Sequence, residues 1–403
     1  MDMNAASEGA FRIEDFLLSR EALLQRRNAK WNQYAPDVIP AYVADMDIRV
    51  APEVEAAIRA SVDAADFGYP MRNGKKADAA VAEAFSRRML RLYGWQADPE
   101  LGLPLSDLVQ ANFAAVMAFS EPGDGVIVQV PNYPPFRAAV EETGRRLVPL
   151  PMVDDGTRHV FDLEALDKRM TKDVRIFILC NPHNPTGRAF DMDELRALHA
   201  FAEKHDLIVI SDEIHSDLVH NGGRHIPFAA LGPDAAARTV TLNSATKSFN
   251  IPGLRTALMH FSSPALMTRF KARFPGRVMG SVNALGADAT VAAWDHGDVW
   301  LAGVIDHLTA MRGRLMQRLR ADIPAIKLHE PEATYLAWLD CSDLGIEGTA
   351  FDFFHTHARV AFSPGESFWP EAQKFVRLNF ATSGIILDEI VDRMSAAIKA
   401  NHR

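Results

Sequence analysis

The feature that most restricts this chain is a series of short apolar runs, each closing on a polar motif. Val126–Val130, Ile176–Cys180, Leu207–Ile210 and Thr239–Asn243 are too short for helices and stand between stretches with helical spacing. A strand covered on both faces reads as a continuous apolar run, and strands alternating with helices build a parallel sheet. Arg146 to Leu150 and Ala257–Phe261 extend the series. The pattern predicts an α/β fold with a mostly parallel central sheet, covered by helices on both sides.

In such sheets, ligands sit beyond the C-terminal ends of the strands. Three motifs fall there: Asn181-Pro182-His183-Asn184-Pro185-Thr186-Gly187, Ser211-Asp212-Glu213-Ile214-His215, and the stretch from Ser244 to Arg255 that holds Lys247. Each supplies a part that pyridoxal 5'-phosphate needs. The Lys247 amine can condense with an aldehyde, and must lose basicity to act as a base. Asp212 can keep a pyridine nitrogen protonated. The Asn184 amide can donate to a ring hydroxyl, and Tyr133, after Val126–Val130, can stack on the ring. Ser244 and Arg255 can neutralise a phosphate. Gln110-Ala111-Asn112, placed just before a helix expected at 113–119, can offer backbone N–H groups to it.

Elsewhere the readings are plainer. Residues 12–34 read as a helix and a polar connection, with Arg26, Arg27, Lys30 and Trp31 on the surface. Phe67-Gly68-Tyr69-Pro70 is a turn with two exposed aromatics. Residues 76–93 read as a helix with Val81, Phe85, Met89 and Leu92 inward and Arg87, Arg88 and Arg91 on a solvated face. Asp191 and Glu194 are spaced for a capping box. After about residue 280 the chain turns helical, with a long helix over Val299 to Leu319, then strand-like runs and a closing helix from Leu387. The expected division is a large cofactor-binding domain, 46–280, and a smaller α+β domain from 1–45 plus 281–403.

Net charge is −9, which argues against nucleic acid and against anionic membrane surfaces as partners. No apolar run approaches the ~20 residues of a membrane span. The first ten residues lack the basic and apolar regions of a signal peptide. Cys180 and Cys341 are the only cysteines, which suits a reducing compartment, and a cytoplasmic protein is expected. No His-Glu-x-x-His or Cys/His ligand spacing points to a metal, and no glycine-rich nucleotide loop is present.

With these residues in place, the chain resembles the fold-type I, pyridoxal-phosphate-dependent class I/II aminotransferase superfamily. Within it, the chain is similar to the cystathionine β-lyase branch of MalY- and PatB-like carbon–sulfur lyases. The resemblance is carried by Y-V-A-D-M-D-I at 42–48, F-G-Y-P at 67–70, E-P-G-D-G-V-I-V-Q-V-P-N-Y-P-P-F at 121–136 and the three motifs above. T-Y-L-A-W-L-D at 334–340 and V-R-L-N-F-A at 376–381 complete it.

The resemblance implies roles that spacing does not. Arg377 clamps the substrate carboxylate. Ser244 and Arg255 bind cofactor phosphate. Tyr69 reaches the phosphate and substrate of a neighbouring subunit, which implies a homodimer with a shared site. Lys247, Asp212 and Tyr133 are the implied catalytic set, with Asn184 serving cofactor and substrate alike. His215 stands in the cofactor site where many aminotransferases carry Tyr, which favours a lyase. The chain departs from the branch at Gln110-Ala111-Asn112, at Asn132 and over 368–373. Residues 45–49 and 365–373 are expected to border the substrate side chain. The implied activity is β-elimination of sulfur amino acids such as L-cystathionine. An aminotransferase sharing every cofactor residue, and a regulatory protein using the same fold, are the alternatives.

Overall fold

The computed structural model describes residues 11–72 and 74–401. The N-terminal stretch 1–10, on which the signal-peptide reading rests, lies outside the described residues.

The expected sheet is present and has eight strands. In chain order they are β1 (Gly102–Leu105), β2 (Gly125–Val130), β3 (Arg146–Asp154), β4 (His159–Phe161), β5 (Val174–Cys180), β6 (Ile208–Asp212), β7 (Thr239–Asn243) and β8 (Ala257–Phe261). Their spatial order is β1-β8-β7-β6-β5-β2-β3-β4. The five from β7 to β3 run parallel, while β8 pairs antiparallel with β7 and β1, and β4 pairs antiparallel with β3. β2 and β7 are buried along their whole length, as strands covered on both faces must be. Two apolar clusters flank the sheet. One holds Val126, Ile178 and Ile210 and the other Ile127, Phe177 and Val209, so successive residues of one strand feed opposite faces.

The C-terminal part carries a three-stranded antiparallel sheet of β9 (Leu336–Asp340), β10 (Ser363–Pro364) and β11 (Phe375–Asn379), with β11 in the centre. Ile39–Pro40 pairs in parallel with Val360–Ala361 in a separate two-stranded sheet. The long helix spans Asp298–Asp322, and the closing one Gly384–Asn401. Asp191 and Glu194 form the capping box in full.

Three expectations fail, the last two for a tertiary reason. Residues 12–34 form short turns of helix, at Ile13–Phe16, Arg20–Leu24 and Ala29–Asn32, and no long helix. Lys30 and Trp31 are buried and not on the surface. Lys30 pairs with the buried Asp47 at 2.9 Å, and the Trp31 indole donates to the same carboxylate at 2.8 Å. Arg88 is only 1 % exposed and does not belong to a solvated face. It pairs at 2.9 Å with Asp217, also buried, from the turn after β6. Lys30 and Arg88 are each drawn inward by a carboxylate that is distant in sequence, since a buried charge must be paired.

Candidate active site

The parallel strands β2, β5, β6 and β7 all end on one edge of the sheet, and a cavity of about 250 Å³ opens there. Its wall includes Tyr133, Asn184, Asp212, His215, Ser244 and Lys247, joined by Arg255 and, from the C-terminal sheet, Arg377. Residues far apart in sequence therefore meet because four strands share a direction.

Lys247 lies in a single helical turn, Ala245–Ser248, which Ser244 caps by accepting from the Thr246 N–H at 3.1 Å. Its Nζ donates to the Ala44 carbonyl at 3.0 Å. Burial, opposed by Asp45 and assisted by Arg377, lowers the amine's pKa below the ordinary lysine value. Asp212 closes β6. Its Oδ2 accepts from Asn112 Nδ2 at 3.2 Å, and its Oδ1 from the Ile214 N–H at 3.3 Å. Burial nonetheless pushes the carboxyl up to about 6. A carboxyl at that poise can hold a protonated pyridine nitrogen.

Arg377 sits on β11 and is 5 % exposed. It donates to Asn184 Oδ1 at 3.0 Å, to the Tyr42 carbonyl at 2.8 Å and to Ser363 Oγ at 3.0 Å, and it lies over the Phe368 ring. Burial lowers its pKa to about 10, so it stays cationic at neutral pH. Because Asn184 Oδ1 is occupied by Arg377, its NH2 remains the part able to donate elsewhere. His215 is buried edge-on to Tyr335, and burial with nearby Lys247 and Arg377 lowers its pKa to about 3. It is a neutral imidazole at physiological pH.

The phosphate end differs from the sequence expectation. The helix begins at Leu108, five residues earlier than expected, because Asp107 caps it by accepting from the Gln110 N–H at 2.8 Å. The Ala111 N–H is spent on the Asp107 carbonyl, and the Ala111 side chain is packed in the core. Ala111 therefore offers nothing to a phosphate. Ser106, Asp107, Leu108 and Val109 line the cavity instead. The first-turn N–H groups of Leu108 and Val109 have no carbonyl within the helix to bind. Arg255, at the end of the lysine motif, pairs with Asp107. Asn112 does line the cavity, but its amide serves Asp212 and the Leu108 carbonyl. Tyr69 is fully exposed and not among the cavity residues of its own chain. Sequence reasoning did not single out Tyr335, whose hydroxyl donates to the Ala44 carbonyl at 2.9 Å, nor the Ser106–Val109 turn. The Asp107 cap, an acidic residue just ahead of an apolar helical run, was the available signal for that turn.

The residues present fit pyridoxal phosphate. Three buried polar atoms on cavity-lining residues, Asn112 Oδ1, His215 Nδ1 and Arg377 Nε, have no hydrogen-bond partner among the described residues. Such atoms are rare unless a ligand or water meets them. Amine, poised carboxyl, amide donor and helix N-terminus supply the donor set that an aldehyde, a pyridine nitrogen, a phenolic oxygen and a phosphate require.

Comparison with known proteins agrees with this chemistry. The family model for aminotransferase class I and II matches residues 47–394. The cystathionine β-lyase PatB of Bacillus subtilis is 33 % identical over 386 residues, covering 94 % of this chain and 98 % of that protein. A crystal structure of OvoB superposes with a TM-score of 0.87 at 37 % identity, covering 93 % of this chain and 97 % of that one. A putative pyridoxal-phosphate-dependent β-cystathionase of Corynebacterium diphtheriae gives a TM-score of 0.87 at 32 % identity, with coverages of 95 % and 99 %. The strand order, the lysine and aspartate at neighbouring strand ends and these likenesses lead to one conclusion: the chain belongs to the class I and II aminotransferase family, in its pyridoxal-phosphate-dependent cystathionine β-lyase branch.

Proposed function

We propose that this protein is a carbon–sulfur β-lyase that splits sulfur amino acids such as L-cystathionine into a thiol, pyruvate and ammonia. The observation that carries its pyridoxal-phosphate chemistry is one cavity lined by a lysine of lowered pKa, a carboxyl poised near 6 and a buried arginine, and the choice of β-elimination rests on the relatives. Curated relatives named cystathionine β-lyase cover nearly the whole chain.

When bound, pyridoxal phosphate supplies the electron-withdrawing ring that takes up charge at the substrate's α carbon. Arg377 binds the α-carboxylate through its guanidinium N–H groups and so fixes the direction of the Cα–H bond. Lys247, kept less basic by burial, takes the Cα proton. Asp212, steadied by Asn112 and the Ile214 N–H, holds a proton at the ring nitrogen. Tyr133 would stack on the ring, and Asn184 would donate to its oxygen. Ser244, Arg255 and the Leu108–Val109 turn would hold the phosphate. His215, neutral beside Lys247, places no charge next to the lysine. The β-thiolate leaves with the bonding pair, and water completes the remaining fragment to pyruvate and ammonia.

The reading extends to a homodimer with a shared site. Its support is a face bearing the exposed Tyr69, Phe67 and Met71. Large apolar side chains exposed together mark an association surface. The division into 46–280 and 1–45 plus 281–403 belongs to the same reading. So does a cytoplasmic location, supported by two buried free cysteines. No helix among the described residues is long and apolar enough to cross a membrane.

The test is pyruvate release from cofactor-loaded protein given L-cystathionine and no keto acid. Steady release over many turnovers, abolished in Lys247→Ala, is expected. Conversion of the bound cofactor to its pyridoxamine form without pyruvate would make the protein an aminotransferase instead.

A further inference from the structure

Segment 42–48 crosses between the two cations of the site. The Tyr42 carbonyl accepts from Arg377 at 2.8 Å, and the Ala44 carbonyl accepts from Lys247 at 3.0 Å and from Tyr335 at 2.9 Å. Only Val43 lies between these residues, and two steps of chain span at most roughly 7 Å. The segment carries almost no regular secondary structure, so side chains must fix its path.

Two asparagines do so, one beside each cation. Asn379 lies two residues after Arg377 and donates to the Val43 carbonyl at 2.7 Å and the Asp45 carbonyl at 2.8 Å. Its Oδ1 is held by the Ala381 N–H at 2.8 Å, which sets the amide's orientation. Asn250 lies three residues after Lys247. It accepts from the Met46 N–H at 2.9 Å and donates to the Met46 and Ile48 carbonyls at 3.0 and 2.9 Å. Its backbone is left-handed, with φ of 57°, a conformation that asparagine tolerates better than most residues. The buried Lys30–Asp47 pair anchors the far end, and Lys30 also donates to the Asp45 carbonyl at 3.1 Å.

We propose that segment 42–48 is a spacer that sets the separation of Arg377 from Lys247, and that Asn250 and Asn379 are the positioning residues that hold it. The proposal rests on the roles given above to Lys247 and Arg377. Each asparagine grips the same strap from a different catalytic element, so disturbing either one moves both cations. Coupling between sites is reciprocal, and a strap that couples them must transmit in both directions.

Two spectroscopic readouts on the cofactor-loaded protein separate the cations. The ratio of affinities for L-alanine and ethylamine, followed by cofactor absorbance, reports how well Arg377 recognises a carboxylate. The pH midpoint of the absorbance without added amine reports Lys247. Asn250→Gly, next to the lysine, is expected to lower the carboxylate ratio about tenfold, and Asn379→Ala, next to the arginine, to move the midpoint by about one pH unit. If each variant alters only the readout of its own neighbour, the strap does not couple them and the proposal falls. Should either variant fail to fold, Asn250→Ser and Asn379→Ser shorten the side chain without adding charge and carry the same cross-effects. Arg377→Ala and Lys247→Ala serve as controls. An unchanged ratio in the first, or an unchanged titration in the second, overturns the roles of those residues and takes the spacer down with them. Normal controls with no cross-effect overturn the spacer alone.

Discussion

Asp212 shows how one residue trades stability for chemistry. Its carboxyl rises from 3.8 to about 6 because burial outweighs the two hydrogen bonds it accepts. The folded protein thus binds this proton more tightly than the unfolded chain does. Without cofactor, the resulting stability is complete below about pH 4 and is lost as pH rises through about 6, a loss of roughly 3 kcal/mol by pH 8. Asp212→Asn removes the buried charge. The cofactor-free variant should melt above the cofactor-free wild type at pH 8, with the gap closing toward pH 4, while lyase turnover collapses. A gap that does not change with pH would show that the carboxyl is not raised. His215 has the opposite shift, to about 3, and for the same reason: burial disfavours whichever form is charged.

At the scale of elements, the site depends on a close approach between a helix and the lysine motif. Helix Ala284–His296 is capped by Asn283, which accepts from the Gly286 N–H at 2.7 Å and donates to the Leu254 carbonyl at 2.7 Å. A Cβ at Gly286 would collide with that carbonyl and with Thr256 Oγ1. The turn between these residues carries Arg255. Gly286→Ala should therefore cost about 1–3 kcal/mol through overpacking and push Arg255 off the phosphate. Absorbance titration should show pyridoxal phosphate binding roughly tenfold more weakly, which corresponds to about 1.4 kcal/mol, within that range. Unchanged affinity would mean the turn yields without moving the arginine. The same element scale explains the misplaced phosphate turn. Apolar spacing alone put the helix at 113–119, whereas the Asp107 cap starts it at Leu108 and so puts Leu108 and Val109 on the cavity wall.

For the whole molecule, the decisive question is whether Tyr69 serves its own site or a partner's. Mixing Lys247→Ala with Tyr69→Ala protein, after unfolding and refolding together, answers it. If Tyr69 acts across the dimer, one of the two sites in each mixed dimer is intact, and about a quarter of wild-type activity returns by random pairing. If it acts within its own chain, every site carries a defect and none returns.

The sequence by itself determined the sheet, its strand ends and most of the chemistry at them. Strands buried on both faces must be continuously apolar, and Lys247, Asp212, Asn184 and Tyr133 each follow such a run directly. Arg377, Tyr69 and the dimer came from likeness to a family, because nothing local in their own segments requires those roles. Only the tertiary structure decided which cations turn inward. Lys30 and Arg88 look like solvated residues until Asp47 and Asp217 stand opposite them. It also decided that the Ala44 and Tyr42 carbonyls face Lys247 and Arg377. A backbone carbonyl is the same group in every residue, so its partner is set by where the chain passes, which no residue type records.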